Sequence, residues 1–398
     1  MSATAGSRPA VTRPFTDAIA EAEELIACAS FIATEQDLVE GYDYLAGGIR
    51  ASLQMAWGYE RQFPFFLRST HQFTKMGLDN PDTLYFHANI TDDAEYVVTG
   101  RRGSTADLSF QVMNGDYSPA NSPDSLAAFD DRRIEIADDG SFELHFGPET
   151  ADPGPNYFVL GPGSAMLIVR EVFSDWEREK PGEIRIERLD TAGKHPDPPD
   201  QDRMAKRYTV AGKMLLGRIK TWFALPEWFY LNEPVNTLTE PRVTPGGLAS
   251  QFSSVGHFDL AEDQAMVITV PDSAMAYQGL QLGSLWYVSL DYINHQTSLT
   301  ADQARVDPDG KIRFVVSEAN PGVVNWLECL GHTRGYVQLR WQHVTRDLTA
   351  EDGPSAEIVL LDDLREHLPY YEKSQLSHED YEARIAARQR SIAQRMLG

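Results

Sequence analysis

The sequence is poor in cysteine, in basic residues and in long apolar runs, and each scarcity excludes a class of protein. Its 398 residues include two cysteines, Cys28 and Cys329, without a CxxC spacing, so neither a disulfide framework nor a thiolate metal site is expected. No run reaches the ~18 apolar residues of a membrane-spanning helix. The 35 basic and 59 acidic residues give a formal net charge of −24, which repels phosphate backbones and anionic lipid. We therefore expect a cytoplasmic protein without a nucleic-acid partner or a membrane span.

The short signatures of common cofactor and metal sites are also missing. The sequence contains no GxGxxG after a predicted strand, no GxxxxGK[ST], no GxSxG and no HExxH. None of its ten histidines forms an HxH pair, which metal-binding jelly rolls normally carry on one strand. The sequence therefore predicts no cofactor and no bound metal.

Apolar periodicity predicts helices at both ends of the chain and in its middle. Apolar residues recur at i, i+3 and i+4 over residues 15–32 and again over 38–56, as on one face of a helix. A third helix is predicted over about residues 201–223. A closing helix begins with Glu379 and Asp380 and then carries several arginines, which favours a solvated, dipole-matched helix over a basic binding patch.

Between these helices the apolar period changes from 3.6 to 2, which predicts β-strands. Short strands separated by turns extend to about residue 190 and resume from about residue 252, with residues 133–136 and 285–292 among them. We predict a β-rich α+β fold with two antiparallel, jelly-roll-like β-sandwich modules and flanking helices. Its expected divisions are a disordered lead-in (1–14), helices with the first module (15–190), a proline-rich linker (191–200), a helix with the second module (201–346) and a helical tail (347–398).

Two motifs carry a resemblance to a known family. They read Asn80-Pro81-Asp82-Thr83-Leu84-Tyr85 and Asn320-Pro321-Gly322-Val323-Val324-Asn325-Trp326-Leu327. With them the chain resembles the bacterial domain-of-unknown-function 1214 family, which is often fused to the related 1254 domain. The resemblance implies a β-sandwich of jelly-roll type and brings no activity with it. Glu328, Cys329 and Leu330 depart from the proline-rich segment that family members often carry at this place.

The first motif supplies three candidate site residues. Asp82, Tyr85 and His87 offer an acid, a phenol and an imidazole that would project from the mouth of the first sandwich into a cleft. The alternative is structural, because Asn80 before Pro81 favours a turn and Asp82 can cap the start of the strand.

The second motif and the residues after it supply five more. Asn325, Trp326, His332, Arg334 and Arg340 combine an amide, a stacking surface, a group that titrates near neutral pH and fixed cations. Loops at the end of a rigid sheet are common places for sites, so we predict that the first four of these residues line a cleft with Tyr85 or His87. The alternative is a loop held by its own hydrogen bonds, with Trp326 filling the end of the sandwich.

A third group depends on residues 285–292 forming a strand. Tyr287, Ser289 and Asp291 would then share one face, and His295 would lie just beyond the strand end. An aspartate that orients a histidine for proton transfer is a physically reasonable arrangement there.

These patterns predict a cytoplasmic enzyme that acts on a small, largely apolar molecule such as a lipid, terpenoid, steroid or aromatic compound. The expected reaction is cofactor-free acid/base chemistry of lyase or hydrolase type. The residues assigned to it are His332 or His295 as acid/base, Asp82 or Asp291 as its orienting partner, Tyr85 as donor, and Arg334 for an anionic group. The alternative is a non-catalytic jelly-roll module that binds ligands or assembles into homo-oligomers. A closed cavity with converging polar groups favours the enzyme, and a broad apolar patch favours assembly.

Overall fold

The computed structural model describes residues 10–58, 60–116, 123–243 and 251–397. Most of the expected lead-in lies outside these residues, and the first helix already begins at Arg13. In the described part of the chain the α-helices are α1 (Arg13–Ala27), α2 (Glu35–Gly58), α3 (Gln201–Phe229), α4 (Leu364–His367) and α5 (His378–Leu397). None of the described helices combines the length and the apolar character needed to cross a membrane.

The strands fall into two groups on either side of α3. The first group is β1 (Thr83–Asn89), β2 (Tyr96–Arg101), β3 (Asp107–Met113), β4 (Ser125–Asp130), β5 (Ser141–Gly147), β6 (Tyr157–Val159), β7 (Met166–Val172) and β8 (Glu183–Arg188). The second group is β9 (Thr237–Leu238), β10 (Arg242–Val243), β11 (Phe252–Asp259), β12 (Gln264–Pro271), β13 (Tyr277–Gly283), β14 (Ser298–Thr300), β15 (Lys311–Ser317), β16 (Trp326–Glu328), β17 (Arg334–Gln342) and β18 (Ser355–Leu360).

These strands build two β-sandwiches of the same topology. The first sandwich has the sheet orders β1-β7-β3-β4 and β6-β5-β2-β8, and the second repeats them as β11-β17-β13-β14 and β16-β15-β12-β18. The second sandwich adds the short strands β9 and β10, which both pair with β11. Each sandwich has one parallel pair at the same place, β5 with β6 and β15 with β16, whereas the other described pairs are antiparallel. The expected β-rich fold with two sandwich modules is confirmed. The modules also repeat one fold, which no residue-level repeat in the sequence indicates.

Alternation along the strands decides which side chains reach each core. In β7, Leu167 and Val169 are buried in the first core, and in β17, Val337 and Leu339 are buried in the second. Because successive side chains of a strand point to opposite faces, the residues between them face away from the sandwich interiors. Each module therefore presents one outer face of a sheet to its surroundings, and these two faces position the site described below.

The helices α1, α2 and α3 share a separate apolar core. Phe15, Leu45 and Leu215, one from each helix, are buried there together with Trp286 of the second module. The indole Nε1 of Trp286 donates to the carbonyl oxygen of Asp37 at 2.7 Å. The helical layer is thus attached to the second sandwich by a buried aromatic residue whose polar atom is satisfied.

Two predicted strands are wrong. Arg133 ends a 3-10 turn (Asp131–Arg133) and residues 134–136 form no strand. The Asp130 carboxylate accepts a hydrogen bond from the Arg132 N–H at 3.1 Å and directs the chain out of β4. Residues 285–292 form an irregular loop. Tyr287 there has φ of +57°, and the Ser289 N–H donates to the Asp79 carboxylate at 3.1 Å rather than to a strand. Alternation alone did not distinguish this loop from a strand.

The helical tail expected over residues 347–398 also needs correction. It begins with β18, which pairs with β12 and supplies partners to backbone groups that would otherwise be orphaned. Within α5, Arg388 and Arg395 are buried rather than solvated, and the Arg388 guanidinium lies 4.4 Å from the centroid of the Trp176 ring. Aromatic faces and backbone carbonyls replace water around these cations, so α5 packs against the junction of the modules.

Candidate functional site

A cavity of about 180 Å³ lies between the outer faces of the two sandwiches. Strands β1, β3 and β7 of the first module and β11 and β17 of the second line it, and the end of α3 closes one side. Its apolar lining includes Met113, Met166, Ile168, Leu225 and Val255. We refer to this space as the inter-module cavity. Its position follows from the alternation of side chains along β7 and β17. The core residues of these strands point into the sandwiches, and the side chains between them point into the cavity.

Two arginines occupy equivalent positions in the two modules and both line the inter-module cavity. Arg170 lies opposite Ser109, the third residue of β3, and Arg340 lies opposite Gly279, the third residue of β13. A glutamine on the neighbouring strand holds each guanidinium: Gln111 accepts from Arg170 Nη1 at 2.7 Å, and Gln281 accepts from Arg340 Nη1. The repeated fold therefore places two oriented cations at one cavity.

Among the described residues, the hydrogen-bond partners of Arg340 are neutral. Besides Gln281, its guanidinium donates through Nη2 to the carbonyl oxygen of Leu78 at 2.7 Å. Within the described residues no carboxylate lies within 4.0 Å of it, although the charge of Asp79 acts on it from further away. Arg340 is nevertheless buried. A buried cation without a close anion is costly, so the site favours a negatively charged group.

Tyr85 and His87 reach the same cavity from β1, as their predicted shared face requires. The Tyr85 hydroxyl accepts from the Asn80 N–H at 3.0 Å, and burial raises its pKa although Arg340 opposes that shift. His87 Nδ1 lies 3.0 Å from the Ser69 hydroxyl. Burial, reinforced by the charge of Arg170, lowers the pKa of His87 to about 3. His87 is therefore neutral at physiological pH and serves as a hydrogen-bonding group rather than a cation.

Other polar groups of the inter-module cavity are held by the protein, whereas the Thr70 hydroxyl has no hydrogen-bond partner among the described residues. The Tyr230 hydroxyl donates to Gln338 Oε1 at 2.9 Å. Both carboxylate oxygens of Asp79 accept from Ser289, at 3.1 Å from its N–H and 2.9 Å from its hydroxyl, and burial raises the pKa of Asp79. Asp116 also lines the cavity. The result is an apolar pocket with a small number of positioned polar groups, the usual composition of a small-molecule site.

A second cavity, of about 280 Å³, contains two of the predicted catalytic residues, His332 and Asp291. His332 Nε2 lies 2.9 Å from Glu40 Oε2, and its Nδ1 lies 2.7 Å from the carbonyl oxygen of Cys329. Burial alone would lower the pKa of His332, but Glu40 and the Cys329 carbonyl raise it above the usual value. His332 and Glu40 thus form a histidine–carboxylate pair at the wall of this cavity.

Lys75 lines the second cavity and is partly buried. Its ammonium donates to the carbonyl oxygens of Ser289 and Leu290 at 2.7 and 2.8 Å. Burial lowers the pKa of Lys75, although four carboxylates around it oppose the shift. A perturbed lysine beside a histidine–carboxylate pair is an arrangement found at functional sites.

The structure does not support the predicted orienting partners of the histidines. Asp82 is buried away from both, and its carboxylate accepts from Trp176 Nε1 and from the Tyr277 hydroxyl, each at 2.7 Å. Asp291 accepts from the backbone of Ile293 and Asn294 within its own turn. Asp82 therefore joins the two modules, which is closer to the structural alternative for the first motif.

The histidines instead pair with glutamates that periodicity did not indicate. His332 contacts Glu40, and His295 Nδ1 lies 2.8 Å from Glu328 Oε2. His295 lines neither of the two cavities above. The two predicted acid/base candidates thus belong to different surroundings.

The residues of the second motif are dispersed rather than gathered around Tyr85 and His87. Asn325 bonds the backbone of Arg305 through both its amide atoms, at 2.8 and 2.9 Å. Trp326 is buried in an apolar cluster and donates to the Ser317 carbonyl oxygen at 3.0 Å. Arg334 lines a different cavity and donates to the carbonyl oxygen of Phe31. The predicted common cleft is not formed, because the two motifs lie on different faces of the sandwiches.

Several residues at these cavities were not predicted from the sequence: Lys75, Glu40, Arg170, Tyr230 and Gln338. Arg340, one of the cations predicted after the second motif, does line the inter-module cavity with Tyr85 and His87. A signal for Arg170 was present. It follows four consecutive apolar residues in β7, and a charged residue in a buried strand usually has a partner or a function. Nothing local in the sequence indicates Glu40 or Lys75 as site residues.

Comparison with known proteins supports the fold and names no activity. No family model and no curated protein matches the chain. The chain is similar to the crystal structure of an uncharacterized protein from Burkholderia cenocepacia, with a TM-score of 0.78 and 29% identity over 88% of this chain and 97% of that one. A weaker likeness to the VPA0106 protein from Vibrio parahaemolyticus has a TM-score of 0.45 and 13% identity, over 80% of this chain and 97% of that one.

Proposed function

We propose that the protein binds a small, largely apolar molecule carrying one anionic group in the inter-module cavity. The observation that carries this proposal is Arg340, a buried guanidinium beside an apolar wall whose hydrogen-bond partners among the described residues are neutral. An anionic ligand group would compensate its charge, and charge-assisted hydrogen bonds are about twice as strong as neutral ones. Arg170 lies at the equivalent position of the other module and adds a second cation.

The apolar part of the ligand would contact Met166, Ile168 and Val255, which line the same cavity. Neutral His87 and the Tyr85 hydroxyl would supply hydrogen bonds without a competing positive charge. The cavity volume of about 180 Å³ favours a compact ligand such as an aromatic or short-chain carboxylate over a long lipid.

The test compares 3-phenylpropionate with 3-phenylpropanol, which share a carbon skeleton and differ in charge. We expect calorimetry to show tighter binding of the acid, and Arg340→Gln to weaken that binding by about 10- to 100-fold, the value of a charge-assisted hydrogen bond. Arg185→Gln, an exposed arginine of β8, is the matched control and should leave binding unchanged. Equal affinity for acid and alcohol, or for the parent chain and Arg340→Gln, would refute the proposal.

A second candidate function is cofactor-free acid/base chemistry of lyase or hydrolase type at the second cavity. The His332–Glu40 pair beside Lys75 supports it. Hydrolysis of p-nitrophenyl esters of small aromatic acids tests the hydrolase form. His332→Gln should remove turnover while the folded fraction stays unchanged, and turnover that survives in the variant would contradict this role.

We also propose a cytoplasmic location and membership of the domain-of-unknown-function 1214 family. The acidic composition and the scarcity of cysteine support the location. The two sequence motifs and the jelly-roll-like sandwiches support the family assignment. Assembly into homo-oligomers, the alternative to a ligand-binding role, stays a prediction that light scattering of the purified chain would test.

A further inference from the structure

We infer that Asp107, Asp131 and His343 bind one divalent transition-metal cation at the junction of the two β-sandwiches. One potential ligand atom from each side chain lies within 4.8 Å of the others. Asp107 begins β3 and Asp131 directly follows β4, both in the first module, whereas His343 directly follows β17 in the second. The inference concerns residues outside the inter-module cavity and does not depend on the proposed ligand.

Asp107 is the observation that points to a cation. Its side chain is fully buried, and neither of its carboxylate oxygens has a hydrogen-bond partner among the described residues. An ionised carboxylate left bare in the interior costs several kcal/mol, and native structures rarely retain such a group without a ligand or a catalytic role. Asp131 and His343 lie beside it with lone pairs of the kind that a metal needs.

Asp131 is already oriented for such a role. Arg102 Nε donates to Asp131 Oδ2 at 2.7 Å, and Asp131 Oδ1 lies 3.1 Å from His343 Nε2. The bond from Arg102 comes from outside the proposed ligands, and hydrogen bonds of that kind hold ligating carboxylates in place. The contact between Asp131 and His343 shows that the two proposed ligands already lie side by side. Arg132 donates to the Val344 carbonyl oxygen at 3.0 Å and so connects the two modules beside the site.

The local charge balance also favours a cation. The charged groups that face Asp107 and His343 are Asp130, Asp131, Arg102 and Arg132. With Asp107 included, the cluster contains three carboxylates, two guanidinium groups and one histidine, so its net charge is negative when the histidine is neutral. A metal binds carboxylate and neutral imidazole, so binding competes with protons at these side chains and metal affinity should rise with pH.

The ligand types narrow the choice of metal. Imidazole nitrogen favours zinc, iron or nickel over magnesium and calcium, which prefer oxygen ligands throughout, and the two carboxylates also suit manganese. Three protein ligands leave further coordination positions to water, as in open metal sites. Because the ligands come from both modules, binding would also hold the two sandwiches together and raise the stability of the folded chain.

The experiment titrates the chelator-treated full-length protein with Zn²⁺, Mn²⁺ and Mg²⁺ by calorimetry, and follows the visible absorption of added Co²⁺. We expect about one equivalent of Zn²⁺ or Mn²⁺ to bind, with a higher unfolding temperature, and Mg²⁺ to bind more weakly. Asp107→Asn should lower the affinity for Zn²⁺ at least about tenfold and abolish the Co²⁺ spectrum. Arg102→Gln should lower the affinity by about 10- to 100-fold, because it releases Asp131.

Two further variants make the result decisive. His343→Asn removes a ligand while keeping a residue type that tolerates the left-handed backbone at this position, where φ is +55°. His145→Gln alters an exposed histidine–carboxylate pair elsewhere in the first module and should retain the parent affinity. The inference is overturned if no saturable binding near one equivalent occurs. It is also overturned if Asp107→Asn and His343→Asn both bind Zn²⁺ as tightly as the parent chain, since surface carboxylates would then hold the metal.

Discussion

Arg170 and Arg340 occupy the same place in two sandwiches of identical topology, and both guanidinium groups line one cavity. Each is held by a glutamine of the adjacent strand, Gln111 or Gln281. The cavity is thus formed by the same outer sheet face used twice, once from each module. This arrangement places two cations at a single apolar pocket without any local sequence motif.

Filling the inter-module cavity should block binding without changing its charge. Val255 lines the cavity from β11, and Val255→Phe adds a ring where the apolar part of the ligand would lie. We expect 3-phenylpropionate and 3-phenylpropanol to lose affinity together, by about tenfold or more, whereas Arg340→Gln affects only the acid. Calorimetry on both variants separates the two effects. Undiminished binding by Val255→Phe would place the ligand elsewhere.

The His332–Glu40 pair should make stability depend on pH in a defined direction. Because the folded-state pKa of His332 is raised, its contribution is fully present below the unfolded-state value of about 6.5 and is lost as pH rises through the folded-state pKa. Glu40→Gln should therefore lower the free energy of unfolding mainly at acidic pH. Urea unfolding across this range provides the measurement. A destabilisation that is largest at alkaline pH would contradict the assigned pairing.

Asp82 should act as a structural connection between the modules. Tyr277→Phe removes the hydroxyl that donates to Asp82 at 2.7 Å and leaves a buried carboxylate oxygen unpaired. We expect a loss of about 1–3 kcal/mol in the free energy of unfolding, with binding of 3-phenylpropionate to the folded protein unchanged. Tyr42→Phe, on the exposed face of α2, is the control and should be nearly neutral. Altered binding at unchanged stability would instead return Asp82 to the functional candidates.

Asp107 should destabilise the metal-free protein at neutral and alkaline pH. Burial raises its pKa to about 7 from an ordinary value of 3.8. The free energy of unfolding is therefore undiminished by Asp107 below about pH 4 and falls as pH rises towards 7. The reason is that the unfolded chain loses this proton at a lower pH than the folded chain does. His343 has a raised pKa and shifts stability in the same direction. In the presence of a chelator, Asp107→Asn should flatten this decline by about 1–3 kcal/mol in urea unfolding. A decline as steep as that of the parent chain would show that Asp107 does not cause it.

Much of the architecture could be predicted because its causes are local. Alternation in residues 84–90 correctly put Tyr85 and His87 on one face, and both reach the inter-module cavity. The same rule failed for residues 285–292, where apolar and polar residues alternate in a loop held by Asp79. Alternation reports which side chains are buried, and a loop packed between two modules can satisfy that pattern without pairing as a strand.

The sequence by itself determined the two-sandwich, helix-flanked fold. The spacing of apolar residues that distinguishes strands from helices is a property of neighbouring residues and can be recognised without knowing any distant contact. Only the tertiary structure decided which chemical groups meet. His332 pairs with Glu40, 292 positions away in the chain, and His343 reaches Asp131 across 212 positions. Such contacts follow from how the repeated modules and the helices pack. The sequence predicted no metal site because it contains no ligands that are close together in the chain, whereas Asp107, Asp131 and His343 are far apart in the chain and meet only in the folded structure. The physical reason is that a site is defined by distances in space. Separation along the chain fixes such distances only within a single helix or strand.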